Sequence, residues 1–218
     1  MVISCESVNK SYGTLQVLKE VSVEVKRGEI IAVTGPSGAG KSTLLHILGT
    51  LDKPDSGRLI IDGDDCMLLT ENHLSTLRNR KIGFVFQFHH LLPEFTAIEN
   101  VMIPGLIAGR KEQELKKEAL QLLKLLGLEQ RVFHKPSELS GGEQQRVAVA
   151  RALINKPVVV LADEPSGNLD SQAAADLHDL FFRLRDEMNQ TFIIVTHNDL
   201  LAARADRIIR LKDGSVQL

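Results

Sequence analysis

The sequence predicts an α/β fold: a core of buried strands and helices around a phosphate-binding loop, with a block of helices inserted into it. Three observations predict it. Ile30–Thr34 is a continuous apolar run, as expected of a strand buried on both faces, and it leads into a glycine-rich loop and then a helical stretch. A second apolar run, Val158-Val159-Val160-Leu161-Ala162, ends in two adjacent carboxylates, Asp163 and Glu164. Between residues 70 and 136 the pattern changes and helical signals dominate.

The elements follow in order. Val21, Val23 and Val25 alternate with Ser22, Glu24 and Lys26, the period of a half-buried strand, and Arg27-Gly28 turns the chain. A helix continues over 41–48. A short strand over 59–61 ends at Asp62-Gly63. Phe84-Val85-Phe86 leads to the insertion, where Thr96 and Glu99 have the spacing of a capping box. Over 112–126, Leu115, Ala119, Leu122, Leu123 and Leu126 trace one helical face, and Gly127 and Pro136 punctuate its end. The α/β pattern then resumes with a helix over 141–153 and the strand at 158–161. Asp170 can N-cap a helix whose buried stripe is Leu177, Leu180, Phe181 and Leu184. A strand over 192–195, another over 208–211, a Lys212-Asp213-Gly214 turn and a last short strand complete the chain. No internal repeat, linker or appended regulatory domain is visible. The expectation is one domain, 1–218, with core segments 1–86 and 137–218 and a helical subdomain over about 87–136.

Composition narrows the function. Hydrophobic content of 43% and charged content of 25% are those of an ordinary soluble domain, and 218 residues suit one substantial core. A net charge of -2, 4% aromatics and no Trp give no reason to expect a nucleic-acid surface. Cys5 and Cys66 show neither zinc nor disulfide spacing, so a reduced, cytosolic setting fits. The N-terminal stretch has no basic region followed by an apolar core, so no signal peptide is expected. The apolar runs are too short to span a bilayer, so any membrane work needs a partner chain that supplies the span.

Gly35-Pro36-Ser37-Gly38-Ala39-Gly40-Lys41-Ser42 is a P-loop, the Walker A pattern. Its glycines let backbone N–H groups turn inward around phosphate oxygens. Lys41 reaches the β- and γ-phosphates, Ser42 places a hydroxyl on Mg²⁺, and the helix that follows offers its positive end. The run into Asp163-Glu164 matches Walker B, with Asp163 on Mg²⁺ and Glu164 orienting and deprotonating the attacking water. His197 closes the strand at 192–195 and is placed to contact the γ-phosphate. Gln87, at the entry to the insertion, could sense Mg²⁺ or the water. Tyr12 could stack on adenine, or be a packed tyrosine. Ser140-Gly141-Gly142-Glu143 opens a helix. A Ser N-cap explains the serine, but two adjacent glycines there are costly unless the backbone must approach something closely, and a phosphate at a helix N-terminus supplies the reason.

Together these residues resemble the ATP-binding subunits of ABC transporters. Tyr12 matches the A-loop, Gly35 to Thr43 Walker A, Gln87 the Q-loop, Leu139 to Gln144 the signature, Leu161 to Glu164 Walker B, Asn168-Leu169-Asp170 the D-loop and His197 the switch histidine. The resemblance covers nearly the whole chain. It implies the ABC ATPase fold: a P-loop NTPase core with an inserted helical subdomain and an N-terminal antiparallel β subdomain. It also implies a head-to-tail homodimer holding two ATPs, each between Walker A of one chain and the signature of the other. Ser140, Gly141, Gly142 and Glu143 would then contact the partner's ATP, and Gln87 would join Ser42 and Asp163 on Mg²⁺.

A narrower similarity is to the ATPases of lipoprotein-releasing systems. It rests on 87–101, with His89-His90-Leu91-Leu92-Pro93, and on 162–170, where Ser166 stands at a position usually Thr. That resemblance implies a bacterial, peripheral protein on the cytoplasmic face of the inner membrane, working with integral membrane permease subunits of the LolC/LolE kind. MacB-like exporters and FtsE-like cell-division ATPases share Gly167-Asn168-Leu169-Asp170 and stay open as alternatives. So does, in a different class, a soluble ABC-type ATPase acting on nucleic acid, although the chain has no room for the long coiled coil or the tandem nucleotide domains of such proteins. A P-loop kinase would leave Ser140-Gly141-Gly142 and His197 without a role. The segment 86–104, with Phe88, Leu91, Leu92, Phe95, Ile98, Val101 and Ile103, is expected to line a groove for a short helix of the membrane partner.

Overall fold

The computed structural model describes residues 1–217. In chain order the strands are β1 (Ile3–Tyr12), β2 (Leu15–Val25), β3 (Ile30–Thr34), β4 (Ser56–Ile61), β5 (Asp64–Asp65), β6 (Ile82–Phe86), β7 (Val159–Asp163), β8 (Phe192–Val195), β9 (Arg207–Lys212) and β10 (Ser215–Gln217). The helices are α1 (Lys41–Leu48), α2 (Glu71–Lys81), α3 (Ala97–Ile107), α4 (Glu112–Leu125), α5 (Gly141–Leu153), α6 (Ser171–Met188) and α7 (Asp199–Arg204). A four-stranded antiparallel sheet has the order β2-β1-β4-β5, and a six-stranded, mostly parallel sheet has the order β10-β9-β3-β8-β7-β6.

Alternation along the parallel strands builds two cores. Ile30, Val160, Ala162, Phe192 and Ile194 point into one, with α5, α6 and the inserted helices. Their neighbours Ile31, Val159, Leu161, Ile193 and Val195 point into the other, with α1 and the antiparallel sheet. A strand that feeds two cores must be apolar at every position, which is why these runs show no polar alternation. Each Val, Leu, Ile or Phe side chain among them, fully buried, contributes roughly 1.5–3 kcal/mol.

The insertion is helical, as expected. The Glu99 carboxylate accepts from the Thr96 N–H at 2.8 Å and from the Thr96 hydroxyl at 2.6 Å, fixing the start of α3. In α4, Leu115, Ala119 and Leu123 are buried against α3 and α5. The helical signal over 70–81 has a different home. It is α2, which packs on β6 and so belongs to the core sheet rather than to the insertion. Arg151 of α5 donates to the carbonyls of His89 at 2.8 Å and His90 at 2.6 Å, tying the loop after Gln87 to the helix that follows the insertion.

Candidate nucleotide site

Register sets the site. β8 lies between β3 and β7, with Val33 opposite Val195 and Asp163 opposite Val195. The three strands therefore end level, and their carboxyl ends deliver the glycine loop, His197 and Asp163-Glu164 to one edge, where open α/β sheets bind ligands.

The loop itself needs its glycines. Gly35, Gly38 and Gly40 have φ of 148°, 78° and 98°. A Cβ on Gly35 would lie 2.1 Å from the Leu211 carbonyl oxygen, and one on Gly40 would lie 2.9 Å from the Val17 carbonyl oxygen. The Ala39 N–H donates to the Pro36 carbonyl at 3.2 Å, closing the turn. The buried Lys41 ammonium donates to the carbonyls of Gly35 and Pro36 at 2.9 and 3.0 Å. At α1 the cap is Gly40, with no side-chain cap and no acidic residue in the first turn. Thr70, Ser140, Asp170 and Asn198 cap α2, α5, α6 and α7 with side-chain oxygens. The α1 N-terminus thus keeps its positive end and its unpaired N–H groups for an anion.

One cavity of about 470 Å³ is lined by Tyr12, by Ser37, Gly38, Gly40, Lys41, Ser42 and Thr43, and by Glu164 and His197. The Ser42 hydroxyl donates to Asp163 Oδ1 at 3.2 Å. Glu164 sits at φ 47°, and His197 Nε2 is 3.1 Å from its Oε1. Gln87 takes another partner: its amide donates to Asn168 Oδ1 at 2.9 Å, and the Asn168 amide returns a bond to the Gln87 carbonyl at 3.4 Å. Gln87 is therefore held on the Asn168-Leu169-Asp170 turn and does not line the cavity.

Ser140, Gly141 and Gly142 line a second cavity, of about 450 Å³, together with Asn168, Leu169 and Asp170. Ser140 Oγ accepts from the Glu143 N–H at 3.2 Å and caps α5. The Gly141 and Gly142 N–H groups precede any possible intrahelical partner. Within the chain, a Cβ on Gly141 would meet only Leu169, at an ordinary 3.6 Å. Internal packing does not demand that glycine. The structure gives Glu143 a task unlike the expected nucleotide contact. Its carboxylate accepts from the Ser140 N–H at 2.8 Å and from Arg131 at 2.8 Å, and these bonds hold it below the usual carboxylate range.

Residues 18–167 match the ABC transporter family. The sequence is 57% identical over 216 residues to the lipoprotein-releasing system ATP-binding protein LolD of Bacteroides thetaiotaomicron, covering 99% of each chain. It is 59% identical over 214 residues to the protein of that name from Porphyromonas gingivalis, covering 98% of each. The chain belongs to the ABC transporter family. It is an ABC-type ATPase, and its fold is that of the family's cassettes. It is similar to the dimeric cassette MJ0796 in a post-hydrolysis state bound to ADP and Pi, with a TM-score of 0.89 at 42% identity over 99% of this chain and 97% of that one. It is also similar to cbiO1 from Clostridium perfringens, part of the ABC transporter complex cbiONQ, with a TM-score of 0.91 at 30% identity over 100% and 87%.

The ABC ATPase has two cavities along the segment expected to form a groove, and part of that segment lines each of them. Ile98 and Val101 face the core. Phe88 and Leu91 line a cavity of about 280 Å³ with His89, His90, Pro136, Gln144 and Asn168, while Leu92 and Phe95 are exposed and line neither this cavity nor the next. A larger one, of about 480 Å³, opens between β6, α2 and the end of α3, with Leu51, Phe84, Phe86, His90, Pro104 and Ile107 on its walls. Sequence periodicity marks which residues are apolar. It does not mark which turn of α3 faces outward.

Proposed function

We propose that this ABC ATPase is the ATP-hydrolysing subunit of a lipoprotein-releasing system, working as a head-to-tail pair of copies whose closure on ATP moves a membrane partner. The observation that carries this is the division of the phosphate motifs. Walker A, Glu164 and His197 line one cavity and Ser140-Gly141-Gly142 line another, so each cavity is half a site. A second copy turned head to tail completes both halves. The dimeric form of MJ0796 supports this, and the names borne by the relatives at 57–59% identity support lipoprotein release.

The residues present suit Mg²⁺·ATP. Ser42 and Asp163 offer hard oxygen donors, and no cluster of three metal-ligating side chains exists among the described residues. Mg²⁺ is commonly held this way, by one or two carboxylates and the phosphates. Ser42 and Asp163 would hold it, joined by Gln87 if its amide leaves Asn168; when bound it neutralises charge on the phosphates. Lys41 exchanges its loop carbonyls for the β- and γ-phosphates. Tyr12 takes the adenine. Glu164 orients the water and accepts its proton, and His197 holds the carboxylate and faces the γ-phosphate. Gln87 and Asn168 link that state to the helical subdomain at about 87–136, which supplies one wall of the groove.

No helix among the described residues is long and apolar enough to cross a membrane. Attachment at the cytoplasmic face of the inner membrane then falls to permease subunits of the LolC/LolE kind, through a short helix seated in the groove. Glu164→Gln should keep ATP binding, lower turnover by about 10²–10⁴-fold and trap an ATP-bound dimer on size exclusion. Wild-type turnover in that variant would remove Glu164 from the role. Ile107 is 73% exposed on the groove wall, and Ile107→Glu should detach the membrane subunits in detergent while ATP binding reports an intact fold. Full co-purification of that variant would place the docking surface elsewhere.

A further inference from the structure

Two charged residues outside every motif converge on Tyr12. Its hydroxyl donates to Asp52 Oδ2 at 2.6 Å. Lys10 Nζ donates to Asp52 Oδ1 at 2.7 Å and to the Lys53 carbonyl at 2.6 Å, and it stands 5.1 Å from the centroid of the Tyr12 ring. That is within the range at which a cation is attracted to an aromatic face. Lys10 is buried and Tyr12 is half exposed at the wall of the nucleotide cavity. A buried ammonium is costly unless it is paired and hydrogen-bonded, and this one is. A surface tyrosine at a hairpin end needs neither partner in order to pack.

The arrangement is also tied to the phosphate loop. Asp52 lies in the turn that follows α1, where its N–H donates to the His46 carbonyl at 3.3 Å and its Oδ1 accepts from the Lys53 N–H at 2.7 Å. On the other side, the Ser11 N–H donates to Asp55 Oδ2 at 2.6 Å. A continuous path therefore runs from the loop that would hold the phosphates, along α1, through Asp52, to the ring that would hold the base. Ring and loop are set at a fixed spacing before any ligand arrives.

We propose that Asp52 and Lys10 are positioning residues that fix the Tyr12 ring as a preset platform for a purine base, and so set the preference for a nucleotide over bare polyphosphate. This rests on the reading of Tyr12 as the adenine contact. A ring held at its hydroxyl and flanked by a cation loses little freedom when a base stacks on it, which is where preorganisation gains affinity. The same contacts leave a spectroscopic mark. The hydrogen bond to Asp52, with burial, raises the Tyr12 hydroxyl above its usual value. Burial acts to raise the Asp52 carboxyl, but bonds from Lys10 and Tyr12 outweigh it and leave Asp52 below the usual range.

The chain offers a direct readout, because Tyr12 is its one tyrosine and it has no tryptophan. Tyrosinate absorbance and ultraviolet emission of the full-length chain therefore report this ring alone. In Asp52→Asn the tyrosinate midpoint should fall towards that of free tyrosine. KM for ATP should rise by roughly 3- to 10-fold with kcat within about twofold. Inhibition by tripolyphosphate, which has no base, should be unchanged and so prove the phosphate loop intact. In a Tyr12→Ala background the same substitution should add no further rise in KM. An unchanged KM for ATP despite the shifted titration would overturn the proposal. So would an equal weakening of ATP and tripolyphosphate. If ATP leaves Tyr12 emission unaltered in the unsubstituted chain, the base platform itself fails, and the proposal fails with it.

Discussion

At the residue scale, the catalytic candidates were legible because each ends an apolar run. Asp163 closes β7, and Glu164 and His197 lie just past β7 and β8, where a buried strand has no packing use for a charge. Glu164 shows what the sequence does not: it sits at φ 47°, a sparsely populated region for a residue with a side chain. Two backbone bonds hold it there, from its N–H to the Val195 carbonyl and from the Gly167 N–H to its own carbonyl, both at 3.0 Å. Asp52 carried no signal, since it sits in an ordinary turn and its partner Tyr12 lies 40 positions earlier. At Glu143 the sequence shows a ligand candidate but not the capping role, because a glutamate three residues after a capping serine serves the helix as readily as a ligand. Ser166 is similarly informative: its hydroxyl is 2.9 Å from Nε2 of the buried His178, tying the loop after Glu164 to α6.

Burial holds the His178 imidazole below its usual value, and the nearby Arg204 charge adds to this against a smaller opposing effect of Asp179. The unfolded chain then binds more protons than the folded one in mildly acid solution. Stability should therefore rise with pH through that window and fall as pH drops from about 6.5 towards the depressed folded value. Denaturant unfolding over about pH 5–7 should show a shallower slope in His178→Gln. The remainder belongs in part to His89, which burial also depresses. An identical slope in His178→Gln would show that the ring is solvated rather than buried neutral.

At the element scale, the parallel strands were readable from unbroken apolar runs, and α4 and α6 from their single apolar faces. α7, β1 and the two-residue β5 were not. α7 has six residues with Leu201 and Ala202 buried, too short to show a period. β1 pairs with β2 through several register shifts, so its polar and apolar residues do not alternate cleanly. The packing of α5 on β6 depends on a position that sequence pattern passes over. A Cβ on Gly83 would lie 2.6 Å from the Ala152 carbonyl oxygen, a backbone atom with little room to retreat. Gly83→Ala should cost about 1–3 kcal/mol in denaturant unfolding. Because α5 begins with Gly141, it should also weaken ATP-dependent dimerisation more than ATP binding. Unaltered stability would mean that α5 can shift freely on the sheet.

At the scale of the whole molecule, the two cavities define what one chain lacks. Walker A keeps a helix end without a side-chain cap and a lysine parked on its own loop, while Gly141 and Gly142 follow the Ser140 cap of α5 on the wall of the other cavity. The groove between α2, β6 and α3 lies beside the loop that Arg151 fixes to α5, so Gln87, the groove and the second phosphate motif share one mechanical unit. The most direct test of the shared site mixes two disabled chains. A Lys41→Ala chain and a Ser140→Arg chain should each be nearly inactive alone, because under the proposed sharing each homodimer has two damaged sites. Their heterodimer has one site with both defects and one with neither. Mixing should restore a substantial part of the turnover of one site. A proven heterodimer that stays inactive would contradict independent sites shared between two copies.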